Sequence, residues 1–250
     1  MNEEILKVQG LTVRFGGLAA VDDVHFSVFP AEIVSLIGPN GAGKTTIFNV
    51  ISGFLKKSEG TIGFDGEKLE KMRPHQIAER GLIRTFQITS LFSNLSVFDN
   101  LRTGHHLQEK VRTLDFIFNT KQNRRVEKET TEKSLEILRF IELEHARQTV
   151  AGNLPYGEQR ILEIGIALAA QPKMLLLDEP AAGLNHTETQ VMMNLISRLS
   201  KEGITILLVE HDMKLVMGIS DRIVVLNFGM KIAEGSPDEI KRNKVIFTYY

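Results

Sequence analysis

Gly38-Pro39-Asn40-Gly41-Ala42-Gly43-Lys44-Thr45-Thr46 fits the pattern G-x-x-x-x-G-K-[ST], a run built to hold a phosphate chain. Its glycines let several backbone N–H groups converge on one point, and a helix that starts at its end adds a positive N-terminus. Lys44 then reaches the β- and γ-phosphates, and the Thr45 hydroxyl suits a Mg²⁺ ion. Two other polar groups end apolar runs: Leu175-Leu176-Leu177 stops at Asp178-Glu179, and the run to Val209 stops at Glu210-His211-Asp212. Asp178 can hold Mg²⁺ through water, since that ion takes few carboxylates. Glu179, one residue on, is placed to face an attacking water as a base. The other reading is a solvated Asp-Glu at a strand end. His211 either touches a terminal phosphate from the same sheet edge or is a surface or internally satisfied histidine. The Gln87 carboxamide either completes the Mg²⁺ shell and reports nucleotide state or is structural.

These residues work together only if strands and helices bring them to one edge. Ile33 to Ile37 is a short β-branched apolar run, read as a buried strand before the loop, and Ile47 to Ile51 continues as helix. Met174 to Asp178 reads as an apolar strand, and Ile204 to Val209 is almost wholly apolar, as in a sheet covered on both faces. Ligands in α/β sheets sit beyond such strand ends. Leu6 to Val13, Val24 to Val28 and Thr61 to Phe64 add a β-rich first third, with Asp65-Gly66 as a hairpin turn. Ser96 caps a helix with Asp99 three residues on. Leu107, Val111, Leu114 and Phe118 form one helical face, Lys121 to Arg125 reads as a basic turn, and Leu135, Leu138 and Ile141 belong to a second helix. Tyr156 to Ala170 is a long helix, and Thr187 to Ser200 is amphipathic with Val191, Leu195 and Leu199 aligned.

Lys plus Arg total 30 against 31 Asp plus Glu, a net charge of −1, so no electrostatic footprint for nucleic acid exists. The chain has no cysteine, which excludes disulfides and thiolate metal sites and fits a reducing compartment. No signal pattern opens it, and no apolar run approaches the about 18 residues a spanning helix needs. A cytoplasmic protein that reaches a membrane through partners is the expectation.

The order of phosphate loop, Gln87, Leu154-Pro155-Tyr156-Gly157-Glu158-Gln159, Asp178-Glu179, Ala182-Gly183-Leu184-Asn185 and His211 resembles the ATP-binding subunit of ABC transporters over essentially the whole chain. Arg84-Thr85-Phe86-Gln87, Asn94-Leu95-Ser96-Val97 and Glu210-His211-Asp212-Met213-Lys214 look like its branched-chain amino-acid importer branch. The resemblance implies an α/β P-loop NTPase fold. A RecA-like, mostly parallel sheet with an N-terminal antiparallel β part takes 1–96 and 154–250, and an α-helical subdomain takes 97–153. It implies ATP and Mg²⁺, with Thr45, Gln87 and Asp178 on the metal, Glu179, His211, Gln87 and Lys44 in hydrolysis, and Phe15, where Tyr is usual, stacked on adenine.

A second ATP-binding subunit, identical or a sister, is implied as well. In the family a Leu-Ser-Gly-Gly-Gln stretch caps the γ-phosphate held by the other subunit. Here Pro155 replaces the serine, Tyr156 the first glycine and Glu158 the glutamine. Proline has neither hydroxyl nor N–H to offer, which leaves Gly157 and a helix N-terminus. Asn185 stands where many relatives carry Asp, and either speaks across the dimer or caps a helix. Permease subunits are expected to dock at Gln87–Asn100, around Leu91-Phe92, and on the helical insert, with the chain peripheral on the inner face of the membrane. Branched-chain amino acids are the implied cargo, with urea, short amides or other amino acids as alternatives. The competing class is a soluble ABC-type ATPase acting on nucleic acid or ribosomes. Such proteins carry two cassettes or a long coiled-coil insert, and this chain has neither.

Overall fold

The computed structural model describes residues 3–85, 91–105 and 121–243. The chain divides into two compact units, 1–87 with 173–250, and 88–172.

The first unit holds two sheets. In one, β1 (Leu6–Phe15), β2 (Leu18–Val28), β4 (Glu59–Phe64) and the two-residue β5 (Glu67–Lys68) pair antiparallel in the order β2-β1-β4-β5. In the other, the order is β10-β9-β3-β8-β7-β6, from β3 (Ile33–Ile37), β6 (Leu82–Arg84), β7 (Met174–Asp178), β8 (Thr205–Val209), β9 (Arg222–Asn227) and β10 (Met230–Gly235). All neighbours there are parallel except β10, which pairs antiparallel with β9 at the edge. Every residue of β3, β7 and β8 is buried, as the unbroken apolar runs require of strands covered on both faces.

One face of this sheet, through Leu36, Leu176, Leu207 and Val224, packs with Phe48 and Ile51 of α1 (Lys44–Ile51) and with Leu6, Val28 and Phe64 of the antiparallel sheet. Ile37, Ile223 and Val225 face the other way, onto Val216 of α7 (Met213–Ile219) and Ile240 of α8 (Pro237–Arg242). Each such large side chain, fully buried, contributes about 1.5–3 kcal/mol. Register matters most for the site: Val209 lies opposite both Leu36 and Asp178, so β3, β7 and β8 end level.

Two helices complete this unit, α2 (Pro74–Glu79) and α6 (His186–Lys201). On α6 the inward stripe is Met192, Leu195, Ile196 and Leu199, whereas Val191, expected there, is exposed. Residues 192, 195, 196 and 199 follow the three-four spacing that keeps a helical face together, and 191 falls just off it.

The second unit is helical: α3 (Val97–Gly104), α4 (Lys121–Phe140), α5 (Tyr156–Ala169) and short 3₁₀ turns at Glu144–Ala146 and Ala151–Asn153. Leu101, Leu138, Ile141, Leu143 and Leu162 are its buried residues of note. At Gly104 a Cβ would lie 2.3 Å from the Ile166 carbonyl oxygen, so α3 and α5 approach to backbone contact. Ser96 caps α3 as expected, accepting from the Asp99 N–H at 3.0 Å. The unit encloses 97–153 together with 88–96 and 154–172, because α5 packs on α3 and α4. The basic run Lys121 to Arg125 is not a turn; it opens α4. Lys, Gln and Arg are good helix formers, and Arg125–Glu129 at 2.8 Å begins a series of i,i+4 pairs. The expected face of Leu107, Val111, Leu114 and Phe118 lies outside the described residues, as does Gln87. Among the described residues no helix is long and apolar enough to cross a membrane.

Candidate active site

The loop 38–43 leaves the end of β3 and turns into α1. Gly43 stands at the helix N-cap with φ 99°, where an added Cβ would lie 2.7 Å from the Ala20 carbonyl oxygen. Only glycine adopts that conformation so close to a neighbouring strand. With no side chain at the cap, the first N–H groups of α1 point outward unclosed and the positive helix end is bare. They line a cavity of about 280 Å³ formed by residues 40–46, Ala20 of β2, Glu179 and His211.

Lys44 is buried and turned back on its own loop, donating from Nζ to the carbonyls of Gly38 at 2.6 Å and Pro39 at 3.0 Å. Burial lowers its pKa, against the opposing pull of Glu179 and Asp178.

Asp178 closes β7 and is buried. Its Oδ2 accepts from Arg84 Nη2 at 2.8 Å, and both side chains are 6% exposed. The same guanidinium donates to Asn49 Oδ1 at 2.7 Å and Ser52 Oγ at 3.1 Å and lies 5.6 Å from the Phe48 ring centroid. Arg84 thus ties α1, β6 and β7 together behind the phosphate loop. The sequence signals it only indirectly, since a carboxylate at the end of a buried strand needs a cation.

Glu179 follows with φ 50°, a left-handed conformation rare outside glycine. Its N–H donates to the Val209 carbonyl at 2.9 Å, which swings the side chain across to His211, and Oε1 lies 2.5 Å from Nε2. The two residues expected to share a sheet edge are therefore in direct contact, with His211 45% exposed at its side chain and Glu179 18%. A carboxylate oriented by an imidazole beside this cavity is equipped to align or deprotonate a water.

The donors available to Mg²⁺ are hard oxygens, the Thr45 hydroxyl and the Asp178 carboxylate. Among the described residues no cluster of three metal-ligating side chains exists. An ion here depends on phosphate oxygens and water for most of its shell, the coordination habit of Mg²⁺, so the residues fit it.

Phe15 ends β1 opposite Leu18, and both are exposed at the hairpin, Phe15 by 52%. Asn185 caps α6: its Oδ1 accepts from the N–H groups of Thr187 at 2.9 Å and Glu188 at 3.1 Å, and Glu188 returns a bond to the Asn185 N–H. In the second unit, Pro155 is the N-cap of α5 without a side-chain bond, Gly157 is buried and Tyr156 is exposed. Gln159 Nε2 donates to the Leu154 carbonyl at 2.9 Å, and Glu158 lies 3.7 Å from His145. Asn100, fully buried, holds the preceding loop by exchanging bonds with the Phe92 N–H and carbonyl, while the Phe92 ring stays exposed.

A family model described as ABC transporter matches residues 21–182. The chain is 47% identical over 252 residues to the high-affinity branched-chain amino acid transport ATP-binding protein LivG of Escherichia coli (strain K12), covering 100% of this chain and 98% of that protein. Its fold is similar to the ADP conformation of an ATP-binding cassette of an ABC transporter, with 33% identity, TM-score 0.86 and coverage of 99% and 98%. It is also similar to a dimeric bacterial ABC transporter cassette, with 25% identity, TM-score 0.76 and coverage of 93% and 98%. With the phosphate loop inside the matched segment and the likeness running end to end, the chain belongs to the ABC transporter family as an ATP-binding subunit.

Proposed function

We propose that this chain hydrolyses ATP with Mg²⁺ to drive an importer of branched-chain amino acids. The observation that carries the hydrolytic part is the Glu179–His211 pair lining the same cavity as the uncapped N-terminus of α1. The loop N–H groups, Lys44 and the α1 dipole hold the β- and γ-phosphates, and Lys44 exchanges its two carbonyls for phosphate oxygens. Thr45 and Asp178, with Gln87, hold Mg²⁺, which when bound neutralises charge on the phosphates. Glu179 aligns the attacking water and takes its proton, His211 fixes Glu179 and meets the γ-phosphate, and Phe15 stacks on adenine. Positioning and electrostatics supply most of the rate. The cargo follows from the 47% identity to LivG, whose name gives branched-chain amino acid transport.

In this proposal two ATP-binding subunits close around ATP, with Leu154 to Gln159 of each facing the nucleotide of the other and Asn185 near their seam. The core takes 1–87 and 173–250 and the helical subdomain 88–172. Permease subunits seat on 87–100 around Phe92 and on that subdomain, at the inner face of the membrane. The test is Glu179→Gln: ATP affinity stays within about threefold while turnover falls at least about 100-fold, the lower end for loss of a general base. Unchanged turnover would falsify the assignment of Glu179.

A further inference from the structure

Glu210, between β8 and His211, is 4% exposed, and its carboxylate serves two loops at once. Oε1 accepts from the Ala181 N–H at 2.8 Å. Oε2 accepts from the His211 N–H at 2.9 Å and from the Asp212 N–H at 3.4 Å. Ala181 belongs to the tight turn that begins at Glu179, where the Ala182 N–H closes onto the Glu179 carbonyl at 3.1 Å. The contacts form a ring. Glu210 grips the backbone under Glu179 on one side and under His211 on the other, and the two side chains meet above it at 2.5 Å.

We propose that Glu210 is a positioning residue for hydrolysis, a buried clamp that sets the spacing of Glu179 and His211 by fixing the turns that carry them. A left-handed residue such as Glu179 persists only where its surroundings over-determine it. Three N–H donors converging on one side chain call for an acceptor-only group, and an ionised carboxylate is the side chain that is one. A glutamine would turn an NH₂ toward one of the two loops. Burial pushes the Glu210 carboxyl above the usual carboxylate range, against the pull of these N–H groups, so the chain keeps a carboxylate where desolvation disfavours it.

The inference rests on the hydrolytic proposal above, and the experiment separates the two. With the full-length chain and Mg–ATP, Glu210→Ala lowers kcat at least about tenfold while ATP affinity, measured without turnover, stays within about threefold. In a His211→Ala background the same change costs less than about threefold, since the pair it serves is already broken. Equal losses in both backgrounds overturn the proposal. Glu210→Gln, the milder variant, gives an intermediate kcat; wild-type turnover in it overturns the need for two acceptors. Amide hydrogen exchange on the nucleotide-free protein decides the matter even if the wild type hydrolyses nothing. Protection at Ala181 and His211 falls together, about tenfold or more, in Glu210→Ala. Loss at only one loop, or at neither, overturns it.

Discussion

The Lys44 ammonium donates to the Gly38 and Pro39 carbonyls, so in the proposed binding mode an entering phosphate takes over a cation already held at the loop rather than recruiting one from solvent. The exchange trades two neutral acceptors for charged ones, which bind an ammonium about twice as strongly. The arrangement costs stability while the site is empty. Burial lowers the Lys44 pKa, so between that lowered value and the ordinary one of about 10.4 the unfolded chain binds more protons than the folded one. Stability from this group therefore rises with pH through that interval, and at neutral pH the buried charge is a net burden. Lys44→Met is expected to lose ATP binding yet melt, without nucleotide, no lower than the parent, the parent gaining on the variant as pH climbs toward 10. A lower melting temperature for Lys44→Met at pH 7 would mean that the two carbonyl bonds outweigh the burial. The trade of stability for function at a binding site is a common one.

At the scale of elements, Asn185 belongs to α6. Its side chain is spent on the first turn in a reciprocal box with Glu188, which leaves the cap as its role in the single chain. Asn185→Ala should cost about 1 kcal/mol in chemical denaturation, and Asn185→Asp, an equally good cap, close to nothing. If Asn185→Asp alters ATP turnover while leaving stability untouched, the residue also acts across the dimer. The strand pair β6–β7 poses a different problem. Arg84 and Asp178 neutralise each other in a buried setting, and removing one partner leaves the other charge stranded. Arg84→Ala should therefore destabilise the protein by about 3 kcal/mol, several times the cost of losing the α6 cap. A loss under 1 kcal/mol in the same titration would show that water reaches Asp178.

At the scale of the molecule, the proposed closure of two subunits depends on the start of α5, where Pro155 offers neither hydroxyl nor N–H. In a Glu179→Gln background with Mg–ATP, Pro155→Ser should tighten self-association roughly 30-fold in sedimentation, the worth of one hydrogen bond of about 1 kcal/mol at each of the two equivalent sites. No change would place the weakness elsewhere in 154–159. The amino-acid order by itself determined what is local. The phosphate loop is contiguous from Gly38 to Thr46, the β3, β7 and β8 strands are unbroken apolar runs, and the Ser96 cap lies three residues from its partner. What depends on register was invisible. Arg84 meets Asp178 across 94 positions, in a strand of three residues too short to carry a pattern, and Glu210 reaches Ala181 across 29. The helix at 213–219 is seven residues, with too few turns to declare a periodicity. Local chemistry fixes which groups are present, but a buried charge takes as its partner whichever donor the stacked strands deliver, and only the folded sheet decides that.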